Sequence, residues 1–147
     1  MASHCLYIKI PPLSRRGGIG RNDNQKSMKI YFGHSNNFDF KKELYEPIRN
    51  SELNKKHEII FPHETEEFIN SKNIIKDCDL MIAEVTYLAT GLGIELGWAE
   101  ILGKPVLCIY KKGSKISGSL KVVTNDFIEY ADSEDLIKKI EEFINGL

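Results

Sequence analysis

What the sequence lacks narrows it first. No apolar run in the 147-residue chain approaches the roughly 20 residues that cross a bilayer as a helix, so no membrane partner is expected. Neither charge dominates: 20 Lys and Arg stand against 21 Asp and Glu, a net charge of −1. That balance removes the general attraction to nucleic acid polymers and anionic surfaces. Cysteine is sparse and scattered, at Cys5, Cys78 and Cys108. With no C-x-x-C pair and no Cys/His cluster, nothing points to structural zinc or a disulfide framework, and the usage fits a reducing, cytoplasmic setting. Internal repeats and low-complexity tracts are missing too. What remains is 41% hydrophobic and 28% charged residues, an ordinary globular composition at a length that buries a core.

The first 27 residues differ from the rest. Lys9, Arg15, Arg16, Arg21 and Lys26 face only Asp23, and Pro11-Pro12 and Gly17-Gly18 deny the segment a regular element. Residues 1–27 are expected to be a basic appendage, mobile or non-native, and residues 28–147 the domain.

The domain is organised around Asp79–Tyr110. Leu80–Val85 is an apolar run of strand length. Thr86–Gly93 is a loop containing Gly91 and Gly93. Ile94–Leu102 reads as a short apolar helix stopped by Gly103 and Pro105, and Val106–Tyr110 is a second apolar run. Both runs are apolar without alternation, as in parallel strands covered on both faces, so the unit is βαβ. Further strands are expected at Lys29–Gly33, His57–Pro62 and Phe127–Tyr130. Asp39 can cap a helix to Asn50 that Pro47 should kink or divide. Thr65 can cap a helix over Glu66–Lys76, with Phe68, Ile69 and Ile75 as its apolar face. Asp132 or Ser133 caps a last helix to Asn145, ended by Gly146, with Leu136, Ile137, Ile140 and Phe143 buried. The pattern predicts a five-stranded parallel sheet with helices on both faces, Rossmann/flavodoxin-like, in strand order 2-1-3-4-5.

In such a sheet the ligand edge is the carboxyl ends of the strands, where His34–Asn37 and Thr86–Gly93 face each other. Glu95 is expected in the first turn of the following helix. A helix amino terminus favours an ionised carboxylate, which could attack an electrophilic carbon. The competing reading is an acid placed there for the helix dipole alone. Gly91 and Gly93 make only a bare G-x-G, a weak nucleotide signal. His34 could be a general acid, a ligand contact or merely a polar loop residue, and Ser35 could hold a phosphate or sugar hydroxyl. His63 and Glu64 sit at the exit of strand 2, on the same edge. Tyr31 reads equally as a core aromatic or as part of the site. Trp98, three residues past Glu95, reads as core.

The segment IAEVTYLATGLGIELGWAEILGKPVLCIY resembles the nucleoside 2-deoxyribosyltransferase family, and within it the branch of 2′-deoxynucleoside 5′-phosphate N-hydrolases. That branch carries a strand ending AEV, then G-x-G-x-E-L-G-x-A and a K-P-x-L-C strand. Glu84-Val85, Gly91, Gly93, Glu95-Leu96-Gly97, Ala99 and Lys104-Pro105 match it. Lys29-Ile30-Tyr31-Phe32 matches the first strand, and Ser117 lies in a matching K-I-S-G-S-L stretch, so the resemblance covers about residues 28–147. It implies N-glycosidic chemistry on a 2′-deoxynucleoside or its 5′-monophosphate, with Glu95 as nucleophile and Tyr31 shaping the site. From their places on the ligand edge, His34, Ser35, Asn37, His63, Glu64, Thr90, Gly91 and Gly93 are the expected substrate contacts. The resemblance implies no metal or organic cofactor. A homodimer is also implied, in which Ser117 reaches the neighbouring subunit's site.

The chain departs from that pattern at three places. Ser71 stands where the branch carries an aspartate that handles proton transfer or orients the sugar. A serine cannot do acid–base work as a carboxylate, so His34, His63 or Glu64 supplies the proton, or the chemistry is altered or lost. Leu88-Ala89 replaces Pro-Ser in the glycine loop, and Asn37 replaces an arginine that would fork onto a phosphate. Asp79 matches a strand-start aspartate whose role is structural. The rival class is a Rossmann-like module that binds or senses nucleotides without turnover.

Overall fold

Five apolar segments pair side by side in the computed structural model, which describes residues 25–147. They are β1 (Lys29–His34), β2 (Glu58–Ile60), β3 (Leu80–Glu84), β4 (Val106–Lys111) and β5 (Phe127–Tyr130). All four pairings are parallel, and the order is β2-β1-β3-β4-β5, as the sequence pattern predicts. The appendage expected over residues 1–27 lies, up to residue 24, outside the described residues.

Side chains leave each strand toward two separate cores. Ile30 and Phe32 point into one, with Leu44, Ile48, Leu53, Leu136, Ile140 and Ile144 from the covering helices. Tyr31 points into the other, with Ile75, Leu92, Leu96 and Ala99. The helices are α1 (Glu46–Arg49), α2 (Glu52–Lys56), α3 (Ser71–Asp77), α4 (Thr90–Ile101) and α5 (Ser133–Asn145). The first, second and fifth cover one face and the third and fourth the other, which makes three layers. Because β1 sends its chain to β2 on one side while β3 lies on the other, the sheet reverses direction beside β1. A crevice opens there at the carboxyl edge.

Local chemistry sets the element boundaries. Asp39 accepts from the Lys42 amide at 3.3 Å and so starts the first helical segment. That segment does not continue as one α-helix. Lys41–Tyr45 is a π-helical turn in which the Glu46 N–H bonds the Lys41 carbonyl, five residues back. Pro47 has no N–H and its ring excludes the carbonyl four residues before it, so the wider register falls just ahead of it. The helix ends at Arg49, and α2, unexpected from the sequence, follows. Lys104 closes α4 by bonding the Ala99 carbonyl at 2.9 Å across Gly103, whose φ of 67° an L side chain rarely adopts.

Two expected boundaries are wrong. The helix placed at Glu66–Lys76 is α3, Ser71–Asp77, and residues 61–70 run through turns and bends. Of the expected stripe only Ile75 is buried. A helix over 66–70 would have had no buried face to stabilise it. The helix placed at Ile94–Leu102 is α4, Thr90–Ile101, beginning four residues earlier through both glycines. Each glycine weakens a helix by about 1 kcal/mol, but burial of Leu92 and Leu96 against the sheet outweighs that.

Candidate active site

Three chain exits meet over the reversal beside β1. The loop after β1, the irregular segment after β2 and the start of α4 enclose a cavity of about 810 Å³, a size that suits a small organic ligand. His34, Ser35, Asn37, His63, Thr90, Gly91 and Glu95, all singled out from the sequence, line it.

Glu95 is not where the helix-start reading put it. With α4 starting at Thr90, no acid lies in its first turn, and Glu95 occupies the second, where the terminal dipole has faded. Its environment differs too. Burial raises its pKa above the ordinary carboxylate value, while hydrogen bonds from Tyr31 and Ser71 hold it down. The Tyr31 ring is fully buried in the core, yet its hydroxyl donates to Glu95 Oε1 at 3.0 Å. Burial and the adjacent carboxylate push the Tyr31 phenol well above its usual value, so it stays protonated and remains a donor. Gly33 makes this approach geometrically allowed. A Cβ there would stand 3.1 Å from Glu95 Oε2, 2.8 Å from Met81 Cε and 2.9 Å from Leu92 Cδ1.

The proton-donor candidates separate clearly. His34 Nδ1 lies 2.8 Å from the Ser35 carbonyl and therefore carries its proton, and Nε2 accepts from the Tyr45 hydroxyl at 2.5 Å. That hydroxyl accepts in turn from the His63 N–H at 3.1 Å. Burial lowers the His34 pKa to about 4. A neutral ring with both nitrogens bonded is not a general acid. Glu64 is committed elsewhere: its two oxygens meet Arg49 Nε and Nη2 at 2.7 Å each, and it does not line the cavity. The His63 ring does line it, exposed and packed edge-on against His34 at 5.5 Å. Ser35 Oγ accepts from the Asn37 N–H at 3.1 Å, and Asn37 Nδ2 donates to the Leu88 carbonyl at 3.3 Å, tying the first loop to the third.

Gly93 and Ser117 stand apart from the cavity lining. The Ser117 hydroxyl pairs with the Ser119 hydroxyl at 2.7 Å. Asp79 accepts from the Lys29 N–H at 2.8 Å at the opposite edge of the sheet and pins the start of β1. Trp98 packs against the second core. Sequence reasoning missed the contacts of Gly33 and Tyr45 and the exposure of Phe68 and Leu88 on the cavity. A glycine inside a strand could have signalled close approach at Gly33; Tyr45 carried no signal.

No family model matches the chain. It is similar, at 30% identity over 111 residues, to a protein of Esox lucius named 5-hydroxymethyl-dUMP N-hydrolase, across 71% of this chain and 76% of that one. The chain belongs to the nucleoside 2-deoxyribosyltransferase family, in its 2′-deoxynucleoside 5′-phosphate N-hydrolase branch. The Mus musculus protein of the same name is 39% identical over 51 residues, 33% of this chain and 30% of that protein. The chain thus spans about a third of that mouse member of the branch. A solved CMP N-glycosidase of Clostridium botulinum superposes with a TM-score of 0.56 at 24% identity, over 77% of this chain and 98% of that one, so the two share a fold.

Proposed function

We propose that the protein is an enzyme that cleaves or transfers the N-glycosidic bond of 2′-deoxynucleosides or their 5′-monophosphates, through a covalent deoxyribosyl group on Glu95. The observation that carries this is the Tyr31–Glu95 hydrogen bond at 3.0 Å beside a nucleoside-sized cavity. Glu95 attacks C1′, the C1′–N pair leaves with the base, and water or a second base then displaces the carboxylate, as in retaining glycosidases. Tyr31 fixes the attacking oxygen. His63 is the proton donor to the departing base, since His34 has no free nitrogen and Glu64 faces Arg49. Thr90 and Gly91, in the first turn of α4, offer N–H groups to sugar or phosphate oxygens.

The working unit is a homodimer in which Ser117, outside its own chain's cavity, reaches the partner's. A cytoplasmic setting suits the buried free thiols of Cys78 and Cys108. No helix among the described residues is long and apolar enough to cross a membrane. The second reading, nucleotide binding without turnover, is favoured by Ser71 in the place of the branch's aspartate.

Incubation with a panel of deoxynucleosides and their monophosphates, scored for free base, tests the proposal. Wild type should release base, and Glu95→Ala should lose at least about a thousandfold, the scale on which removal of a covalent nucleophile is felt. Release by both alike overturns the proposal, and thermal stabilisation by ligand without release supports the binding module.

A further inference from the structure

Phe68 is the anomalous side chain of the cavity. Helical periodicity puts it on a buried face, yet it is 96% exposed, on the irregular segment between β2 and α3. Leu88, on the facing loop, is 81% exposed. Both line the cavity that Glu95 enters, whereas Ile101 and Val122, the other strongly exposed apolar side chains among the described residues, do not. Two large apolar groups left bare on opposite loops of one cavity mark a place where apolar surface is received.

Resting on the N-glycosidase reading, we infer that Phe68 and Leu88 are the clamp that takes the two faces of the substrate's nucleobase. The carboxylate attacks C1′ from the side opposite the bond that breaks. With C1′ at Glu95, the base therefore points away from that carboxylate into the cavity that Phe68 and Leu88 line. A nucleobase has flat, weakly hydrated faces. An aromatic ring stacks on one and a branched aliphatic side chain covers the other. Such a clamp holds the base by its faces and leaves its edges to the polar lining. It also holds the departing base in place while the proton arrives. Phe68 is thus a specificity-determining residue that acts on binding rather than on the bond-breaking step.

The test measures equilibrium binding of deoxyadenosine and deoxycytidine to uncleaving Glu95→Gln protein, with and without Phe68→Ala. Solution mass and wild-type base release are followed in parallel. Phe68 is nearly fully exposed, so its truncation removes no core packing. Both ligands should bind about tenfold more weakly without the ring, Phe68→Trp should restore binding, and the mass should not change. Unchanged affinity overturns the clamp, and a changed mass with unchanged affinity shows that a second copy covers Phe68 instead. Failure of Glu95→Gln to bind either ligand also overturns it. Binding by that variant without base release by wild type sinks the glycosidase reading alone.

Discussion

Glu95 sits where a carboxylate is costly to ionise, and the proposed attack on C1′ requires it ionised. Desolvation raises its pKa, and the Tyr31 and Ser71 hydroxyls recover part of that loss. A group whose folded-state pKa is raised gives stability that is complete below its unfolded pKa and lost as pH rises through the folded value. Glu95→Gln is therefore expected to be more stable than wild type at pH 8, with the advantage vanishing near pH 4; thermal unfolding at the two values checks this. Under the proposed mechanism only the ionised form attacks, so the same shift places the acid limb of the rate above the ordinary carboxylate range. Removing the donor with Tyr31→Phe moves that limb further up, which a pH–rate profile reads. The sequence singled out Glu95 but placed it in a helix-start setting that it does not have. Its setting comes from Tyr31 and Gly33 on the neighbouring strand, and no local pattern around residue 95 encodes either contact.

At the scale of elements, what was legible follows from what is local. The strands and α5 could be read because unbroken apolar runs and a clean helical stripe each have one structural solution. Asp132 illustrates this. Its carboxylate accepts the Asp135 N–H at 2.8 Å, and Asp132→Ala should cost about 1 kcal/mol, measurable as a shifted denaturant midpoint with unchanged slope. The starts of α3 and α4 were misread because tertiary contact decided them. Burial of Leu92 and Leu96 carries the helix through two glycines, while the absence of any partner for Phe68 leaves residues 61–70 irregular. Both errors fall on segments that line the cavity, where sequence preference and local order part company. The Arg49–Glu64 pair, also unforeseen, joins α1 to the segment after β2 and removes Glu64 from the candidate donors.

For the whole molecule, strand order was predictable because a βαβ chain has few right-handed ways to cover both faces of a sheet. The order alone brings β1 and β3 together and so places His34 and Glu95 on one crevice, with the buried Tyr31 bonded to Glu95. The buried His34 makes the stability of the whole depend on pH. Its pKa falls from 6.5 to about 4 on folding, so the unfolded chain binds the proton first and stability is lost as pH falls through that window. The loss reaches about 3 kcal/mol. A His34→Gln variant should show a shallower fall between pH 6.5 and 4, whatever its starting stability; equal slopes would show that His34 does not titrate in this way.

The deciding measurement is the configuration of the sugar product. Wild type should be given a β-deoxynucleoside in buffer containing methanol, and the methyl deoxyriboside examined by proton NMR. Two successive displacements, first by Glu95 and then by methanol, predict the β-anomer. The α-anomer would mean that the acceptor attacks the substrate directly, and Glu95 would not be the group that carries the sugar.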